Sequence, residues 1–255
     1  MFKKIRIMQN IIYYFLNKVF MNEVEDEILK YTKKNDKIIF DIGCYRGNFT
    51  KNFISNEKKI GIESTFFLFD PNPSTEDYLK TVLKNKKIKY FNLAFDNSNS
   101  QKSFYLNNFF EPSGSSLNTT IRDDIKWKST RKIFMKMLHP FKKIEDFSEI
   151  VVKTQTLDNF CLEKKISNID VLKIDTEGNE FNVLKGAVKL LKENRINIIY
   201  TEISETKKQF LEKEKNIIDF LSSYNFELKK KYQIKSLSIL SDLKASDNLF
   251  VNKAF

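Results

Sequence analysis

The sequence predicts an α/β fold with a mostly parallel sheet and helices on both of its faces. Short, continuous apolar runs alternate with segments of helical periodicity along most of the 255 residues, and three of the runs end in an acid, at Asp41, Asp70 and Asp175. Continuous apolar runs are typical of strands buried on both faces of a parallel sheet, where ligands bind beyond the carboxyl ends of the strands. The three acids are therefore expected at one edge of the sheet.

A glycine-containing turn follows the first apolar run, with the sequence Asp-Ile-Gly-Cys-Tyr-Arg-Gly at residues 41–47. Gly43 and Gly47 allow the backbone to approach a ligand, and Asp41 can accept hydrogen bonds from a ligand amine or a neighbouring amide. The segment 48–57 has helical periodicity and completes a strand–turn–helix unit. The spacing differs from the Gly-x-Gly-x-x-Gly of dinucleotide folds and favours the looser loop of methyltransferases that use S-adenosylmethionine. A tight turn without a ligand is the alternative.

The remaining elements continue this alternation. Helices are predicted at 22–35, 74–84, 157–164, 179–192 and 206–224, and strands at 65–70, 89–95, 101–106, 169–175, 196–203, 227–234 and 249–253. Ser74 and Thr156 are placed to cap the helices that they precede. A polar, turn-rich stretch at 107–118 carries Glu-Pro-Ser-Gly-Ser-Ser-Leu at its centre. The last two strands are predicted to form a closing hairpin.

Composition favours one domain, over residues 37–255, preceded by an N-terminal helical segment, 1–36. With only 6 Gly and 4 Pro the chain has no linker-like stretch, and 41% hydrophobic residues, including 24 Phe, suffice for a sizeable core. Residues 1–21 are basic and then apolar, too short to span a bilayer and without a signal-peptide cleavage site. We expect an amphipathic helix packed on the domain or on a second subunit of a homodimer, with peripheral membrane contact as the alternative.

The net charge of +11 comes almost entirely from lysine. Surfaces that read nucleic acid usually contain more arginine, so the charge indicates affinity for anions without identifying nucleic acid as the partner. Cys44 and Cys161 are far apart in sequence and are expected to be reduced thiols in a cytoplasmic protein. His139 is the only histidine, which excludes a metal site built from several histidines.

A basic insertion at 120–150 interrupts the α/β alternation. Lysines and arginines between Arg122 and Lys143 alternate there with apolar residues, among them Trp127. One interpretation is a helical excursion whose charged side faces water. The other is a lid over the active site whose cations meet a phosphate-bearing acceptor. His139 would be a candidate base if such a lid closed.

Five motifs in order give the chain a specific resemblance. It resembles the FkbM family of S-adenosylmethionine-dependent O-methyltransferases from about residue 37 to the end. The motifs are Asp-x-Gly-x-x-x-Gly (41–47), an acid before Pro-Asn-Pro (70–73), Thr-Leu-Asp-x-Phe (156–160), Ile-Asp-x-Leu-Lys-Ile-Asp-x-Glu-Gly-x-Glu (169–180) and Val-Leu-Lys-Gly-Ala (183–187). The resemblance implies a class I methyltransferase (Rossmann-like) fold with a seven-stranded, mostly parallel sheet.

The donor site is expected along the ends of the first three strands. Asp70 can accept hydrogen bonds from the ribose diol, because its strand neighbours the one that ends at Asp41. The resemblance implies that S-adenosylmethionine also contacts Gly43, Cys44, Gly47, Asn72 and Ala94. Two departures from the family pattern are Cys-Tyr-Arg at 44–46 in place of the usual Ala-Asn pair, and Asp70 where the family usually has Glu.

The catalytic groups are expected beyond the strand that ends at Asp175. Methyl transfer to a hydroxyl requires alignment with the donor methyl and removal of a proton, for which Asp175 and Glu177 are candidates alongside His139. Related sugar methyltransferases hold a divalent metal at such strand ends, so Asp175 and Glu202 are also candidate Mg²⁺ ligands. Glu177 and Glu180 have the alternative role of capping the next helix, which we prefer for Glu180.

The resulting functional prediction is O-methylation of a sugar hydroxyl on a nucleotide sugar or a surface polysaccharide precursor, a substrate class implied by the resemblance. A nucleic-acid methyltransferase is the alternative enzyme, favoured by the charge. The Asp-Pro-Asn-Pro sequence at 70–73 opposes it, since it is not the Asn-Pro-Pro-aromatic motif of base aminomethylation. A non-catalytic nucleotide- or glycan-binding module is a third candidate, opposed by the intact acids and glycines of the expected site.

Overall fold

The computed structural model describes residues 24–80, 82–107, 115–118, 147–234 and 243–255. The predicted helix at 1–21, His139 and the greater part of the basic insertion lie outside these described residues.

The described chain alternates strands and helices as expected of an α/β protein. Its strands are β1 (Lys37–Ile42), β2 (Ser64–Phe69), β3 (Ile88–Phe91), β4 (Ala94–Phe95), β5 (Ser100–Asn107), β6 (Phe147–Gln155), β7 (Ile169–Ile174), β8 (Ile196–Thr206), β9 (Phe226–Ile234) and β10 (Leu243–Asn252). Its helices are α1 (24–31), α2 (Asn48–Lys59), α3 (Thr75–Leu79), α4 (Leu157–Glu163), α5 (Glu180–Lys185), α6 (Val188–Lys192) and α7 (Phe210–Ser222).

The main sheet has seven strands in the order β3-β2-β1-β7-β8-β10-β9. The pairs from β3 to β8 are parallel, and β10 runs antiparallel to both β8 and β9. This arrangement confirms the predicted fold class. It also places the ends of β1, β2 and β7 side by side, because β1 pairs with both of the others.

Helices cover both faces of this sheet, each over its own apolar cluster. On one face, α1, α2 and α3 bury residues such as Ile28, Phe53 and Leu79 against the sheet. On the other, α4 to α7 bury residues that include Phe160 and Ile217. Because β1 and β7 are buried on both faces, their side chains alternate between the two clusters, which explains the continuous apolar runs in the sequence.

A small second sheet, β4-β6-β5, corrects the prediction of a single strand over 89–95. The chain leaves the main sheet at Asn92, whose side-chain amide donates to the Asp70 carbonyl at 3.1 Å. Ala94 then pairs with Thr154 of β6. Strand β6 begins at Phe147, so residues 147–150, which the sequence assigned to the insertion, belong to this second sheet.

Two predicted helices differ most from the observed ones, one by ending early and one by being divided. The helix predicted at 74–84 is regular only over α3, and the expected cap is wrong because the Ser74 side chain makes no capping hydrogen bond. The helix predicted at 179–192 is divided into α5 and α6 around Gly186. A Cβ atom at Gly186 would lie 2.3 Å from the Asp96 carbonyl oxygen, so close packing determines this break. The Thr156 cap is confirmed, since its hydroxyl accepts from the Asn159 amide at 3.2 Å.

Candidate active site

The turn after β1, residues 43–47, is called here the donor turn because the sequence predicts that it binds the donor. It is built by its two glycines. Gly43 and Gly47 have φ of +71° and +69°, a region that favours glycine. A Cβ atom at Gly43 would lie 1.7 Å from the Asp175 carbonyl oxygen, and one at Gly47 would lie 2.8 Å from a methyl of Leu79. The glycines therefore allow the turn to pack against the end of β7 and against α3, which brings the two ends of the expected site together.

Asp70 connects this turn to the end of β2. Its buried carboxylate accepts from the backbone amides of Tyr45 at 3.0 Å and Asn72 at 2.9 Å. Burial raises the pKa of this carboxyl to about 6, against the effect of the two amides. Its carbonyl oxygen accepts from the Tyr90 hydroxyl at 3.0 Å. Asp70 thus organises the turn itself, in addition to its predicted role toward a ribose.

The residues at this end of β1 and β2 fit the adenosyl donor. A carboxylate has about four lone-pair directions, and the two amides occupy two of them, so Asp70 retains acceptor capacity for hydroxyl groups. Asn72 is buried and its side-chain oxygen accepts from the Ser74 amide at 3.0 Å. Burial raises the pKa of the Cys44 thiol well above its ordinary value, so this side chain is a neutral wall of the turn. Ala94 lies buried in the second sheet.

Lys173, which the sequence analysis did not assign, lies at the centre of the site. Its ammonium nitrogen donates to the Gly43 carbonyl at 2.8 Å and lies 3.1 Å from Asp41 and 3.4 Å from Asp175. Burial alone would lower the pKa of Lys173, but these two carboxylates hold it above its ordinary value. A lysine near the end of a strand predicted to be buried was the available signal, because a buried lysine needs a charged partner.

Asp41 is fully buried and has protein partners on both carboxylate oxygens. One accepts from the Thr50 hydroxyl at 2.7 Å and the other faces Lys173. These contacts fix the start of α2 and the base of the turn. Any contact of Asp41 with the donor, as predicted from the sequence, would be shared with these partners.

Asp175 directly follows β7, as predicted, and its amide donates to the Ile42 carbonyl at 3.1 Å. Its side chain is 35% exposed. Burial of the remainder raises the pKa of its carboxyl, while Lys173 opposes the rise. The exposed part lets water weaken both effects. Asp175 is therefore a reachable carboxylate with a counter-cation, beside the donor turn.

Glu202 does not end its strand, contrary to the prediction, because β8 continues to Thr206. It lies opposite Asp247 of β10, a residue that the sequence analysis did not single out. Burial raises the pKa of Glu202 well above its ordinary value, with further contributions from Asp175, Asp247 and Glu177. Burial likewise raises the pKa of Asp247 to about 7, although Tyr200 donates to it. The charges of Asp175, Glu177 and Asp247 thus all act on Glu202. These four residues are called here the carboxyl cluster.

The predicted Mg²⁺ site has no support from the structure. Within the part of the chain that the structure describes, no group of three or more His, Cys, Asp or Glu side chains could hold a metal ion.

Glu180 holds the loop between β7 and α5. The capping role preferred for it is wrong, because its partners are loop amides and α5 has no side-chain capping hydrogen bond. One oxygen of its fully buried carboxylate accepts from the amides of Thr176 at 3.2 Å and Gly178 at 2.7 Å. Its other oxygen lies 3.3 Å from the Lys213 ammonium group. These contacts of Glu180 therefore fix the loop that carries Asp175 and Glu177.

Comparison with known proteins gives a family. A model described as Methyltransferase FkbM domain matches residues 41–228. The 2-O-methyltransferase NoeI of Sinorhizobium fredii is 24% identical over 184 residues, which cover 72% of this chain and 70% of NoeI. None of the helices in the described ranges is long and apolar enough to cross a membrane.

Two of the solved structures to which this chain is similar are described as methyltransferases. One is SMU.1697c, a putative methyltransferase from Streptococcus mutans in complex with SAH, with a TM-score of 0.42 and 10% identity, covering 89% of this chain and 96% of that one. The other is the N-methyltransferase NodS from Bradyrhizobium japonicum, with a TM-score of 0.44 and 8% identity, covering 90% of this chain and 94% of that one.

Proposed function

The chain belongs to the FkbM methyltransferase family, and we propose that it transfers a methyl group from S-adenosylmethionine to a sugar hydroxyl. The acceptor would be a nucleotide sugar or a precursor of a surface polysaccharide. The observation that carries the proposal is the carboxyl cluster beside the donor turn.

Carboxyl groups suit a hydroxyl-rich acceptor. A carboxylate accepts hydrogen bonds from several hydroxyl groups, and a protonated carboxyl group also donates one. Asp175 is partly exposed just after β7, and Glu202 and Asp247 lie on the paired strands β8 and β10. The relative NoeI supports oxygen as the methylated atom, since its name describes a 2-O-methyltransferase.

Asp70 would hold the donor ribose, and the turn around Gly43 would hold the rest of the donor. When bound, S-adenosylmethionine supplies a methyl group on a sulfonium, which needs little activation. The chain's own residues must align the acceptor oxygen and remove its proton. We assign proton removal to Asp175, because it is the reachable carboxylate next to the turn. Lys173 keeps a positive charge 3.4 Å from it, which favours the ionised form that accepts the proton.

A nucleic-acid acceptor is less well supported. Phosphates flank a nucleotide of a nucleic acid on both sides and would approach the ionised Asp175, whereas a nucleotide sugar carries its phosphates at one end of the sugar only. The positive net charge of the whole chain still favours anionic molecules, so the two acceptor classes must be compared directly.

The test is methyl transfer from radiolabelled S-adenosylmethionine to a panel of UDP-, GDP- and dTDP-sugars, with transfer RNA and ribosomal RNA as parallel acceptors. We expect label in a sugar, located by mass spectrometry on a hydroxyl oxygen, and none in the RNA. Label in RNA alone would contradict the proposal. EDTA treatment divides the roles of Asp175: activity lost with EDTA and restored by Mg²⁺ would assign it to a metal, and activity that survives would assign it to direct proton removal.

A further inference from the structure

A short segment, Ser115 to Asn118, lies against the loop that carries Asp175 and Glu177. It belongs to the turn-rich stretch that the sequence analysis left without a function. Backbone hydrogen bonds between Tyr105 of β5 and Ser116, at 2.9 and 3.2 Å, attach the segment to the second sheet. The second sheet therefore has a direct contact with the catalytic end of the main sheet.

Two side chains of the segment bind the loop on either side of Glu177. The Ser116 hydroxyl donates to the Thr176 carbonyl at 3.0 Å, and the Asn118 amide donates to the Gly178 carbonyl at 2.9 Å. Ser116 is 3% exposed, and its oxygen also accepts from the Asn118 backbone amide at 2.9 Å. The two hydrogen bonds thus form one connected unit.

The loop needs such support because its backbone is strained at Glu177. Glu177 has φ of +54°, a conformation that residues other than glycine rarely adopt. Gly178 follows with φ of +108°, and a Cβ atom there would lie 2.9 Å from the Asn118 side-chain nitrogen. Gly178 therefore lets Asn118 approach the loop closely.

The hydrogen bonds of Ser116 and Asn118 complement those that Glu180 makes to the same loop. Glu180 accepts from the backbone amides of Thr176 and Gly178, while Ser116 and Asn118 donate to the carbonyls of the same two residues. Both backbone groups of each residue flanking Glu177 are consequently held. The Glu177 carboxylate also contributes to raising the pKa of Glu202, which places its charge within the field of the carboxyl cluster.

We propose that Ser116 and Asn118 are positioning residues for methyl transfer, which hold the backbone of Glu177 so that its carboxylate stays within the carboxyl cluster, near the acceptor hydroxyl. This inference rests on the proposed function for the role of Glu177, but the holding of the loop does not depend on the acceptor.

The first experiment measures the loop itself. Hydrogen–deuterium exchange of the Thr176 and Gly178 amides would be compared in wild type, Ser116→Ala and Asn118→Ala. We expect about tenfold faster exchange or more in both variants, because the loop opens at a lower free-energy cost without the hydrogen bond from Ser116 or Asn118. Ser100→Ala is the matched control, since it removes a serine contact, at 3.0 Å to Thr154, elsewhere in the same small sheet. Exchange equal to that of the control would overturn the proposal.

The second experiment asks whether the loop positions a reacting group. With the unmethylated sugar that the panel identifies as acceptor, Asn118→Ala should lower kcat about tenfold and leave the affinity for S-adenosylhomocysteine unchanged. In a Glu177→Gln background it should cause no further loss, because Asn118 acts through that carboxylate. An equal, additive loss in that background would overturn the positioning role. If no sugar is methylated, the proposed function fails, whereas the exchange result still decides whether the segment holds the loop.

Discussion

Charge balance at the residue scale explains why two acids can be buried or half-buried around the donor turn. Lys173 lies between Asp41 and Asp175 and also donates to the carbonyls of Ile42 and Gly43, at 3.3 and 2.8 Å. Asp41 is fully buried, so Lys173 is the cation that compensates its charge. A buried ion pair adds little by itself, but loss of one partner leaves an uncompensated charge.

Lys173→Met should therefore destabilise the protein by about 3–5 kcal/mol, and the double variant Lys173→Met/Asp41→Asn should recover most of that loss. The neutral pair carries no buried charge, and urea unfolding followed by circular dichroism measures both free energies. A double variant as unstable as the single one would show that Lys173 acts through packing and not through charge.

Asp175→Asn should lower kcat about 100-fold or more and leave donor affinity unchanged, because the amide keeps the shape and removes the proton acceptor. Steady-state kinetics and calorimetry with S-adenosylhomocysteine give the two quantities. Asp77→Asn is the control, an exposed acid on α3 that makes a surface ion pair. A native rate in Asp175→Asn would transfer the base role to Glu177.

Sequence reasoning located the acids that directly follow strands, since an acid after an apolar run is visible in one dimension. It missed Lys173 and Asp247 for different reasons. Lys173 sits within a run that was interpreted only for its hydrophobicity. Asp247 becomes part of the site through the pairing of β10 with β8, and that partner is fixed by long-range packing.

At the scale of elements, α1 packs on the main sheet through a face that includes a buried acid. Glu25, a residue of α1, is fully buried, and burial raises the pKa of its carboxyl to about 8. Asp41 of β1 adds to the rise, and Tyr200 of β8 also lies within the field of Glu25. The helix therefore packs best with Glu25 protonated.

The unfolding free energy should depend on pH through this group. Between its ordinary pKa of 4.5 and about 8, the folded chain keeps the Glu25 proton that the unfolded chain has lost. Stability from this residue therefore falls as pH rises through that window and levels off above it. Glu25→Gln should remove this component, so that its stability relative to wild type increases by roughly 2–4 kcal/mol from pH 5 to pH 8.

Urea unfolding at a series of pH values measures that difference. Glu27→Gln on the same helix is the control, because a hydrogen bond from Lys30 lowers the pKa of Glu27 and gives a pH dependence of opposite sign. Parallel curves for Glu25→Gln and wild type would contradict a protonated Glu25 in the folded protein.

Element types were predictable from the sequence more reliably than element limits. The apolar runs predicted β1, β2 and β7 within one residue, because burial on both faces gives an unambiguous pattern. The division of 89–95 between two sheets depends on the hydrogen bond from Asn92 to Asp70, and the break at Gly186 depends on contact with Asp96. Asp70 and Asp96 are both distant in sequence from the residues that they contact, so local periodicity cannot predict these two contacts.

At the scale of the whole molecule, the proposed donor site lies at the centre of the main sheet. Strand β1 pairs with β2 on one side and with β7 on the other, and the donor turn contacts both neighbours. The sheet order itself was only partly predictable: the family resemblance implied seven strands, but the insertion of β10 between β8 and β9 follows from packing at the end of the chain. The predicted homodimer and cytoplasmic location remain predictions.

Because the proposed donor site is formed only when these strands are paired, ligand binding should stabilise the whole fold. S-adenosylhomocysteine at 100 times its Kd should add about 2.7 kcal/mol to the unfolding free energy, which raises Tm by roughly 5–10 °C for a chain of this size. Asp70→Asn should reduce the shift, since it leaves ribose and backbone partners unpaired and weakens binding by about 1–3 kcal/mol. Asp158→Asn is the control at the opposite edge, where its carboxylate accepts from the Lys189 amide at 2.9 Å. It should lower the Tm of the free protein and keep the shift. A full shift in Asp70→Asn would place the ribose elsewhere.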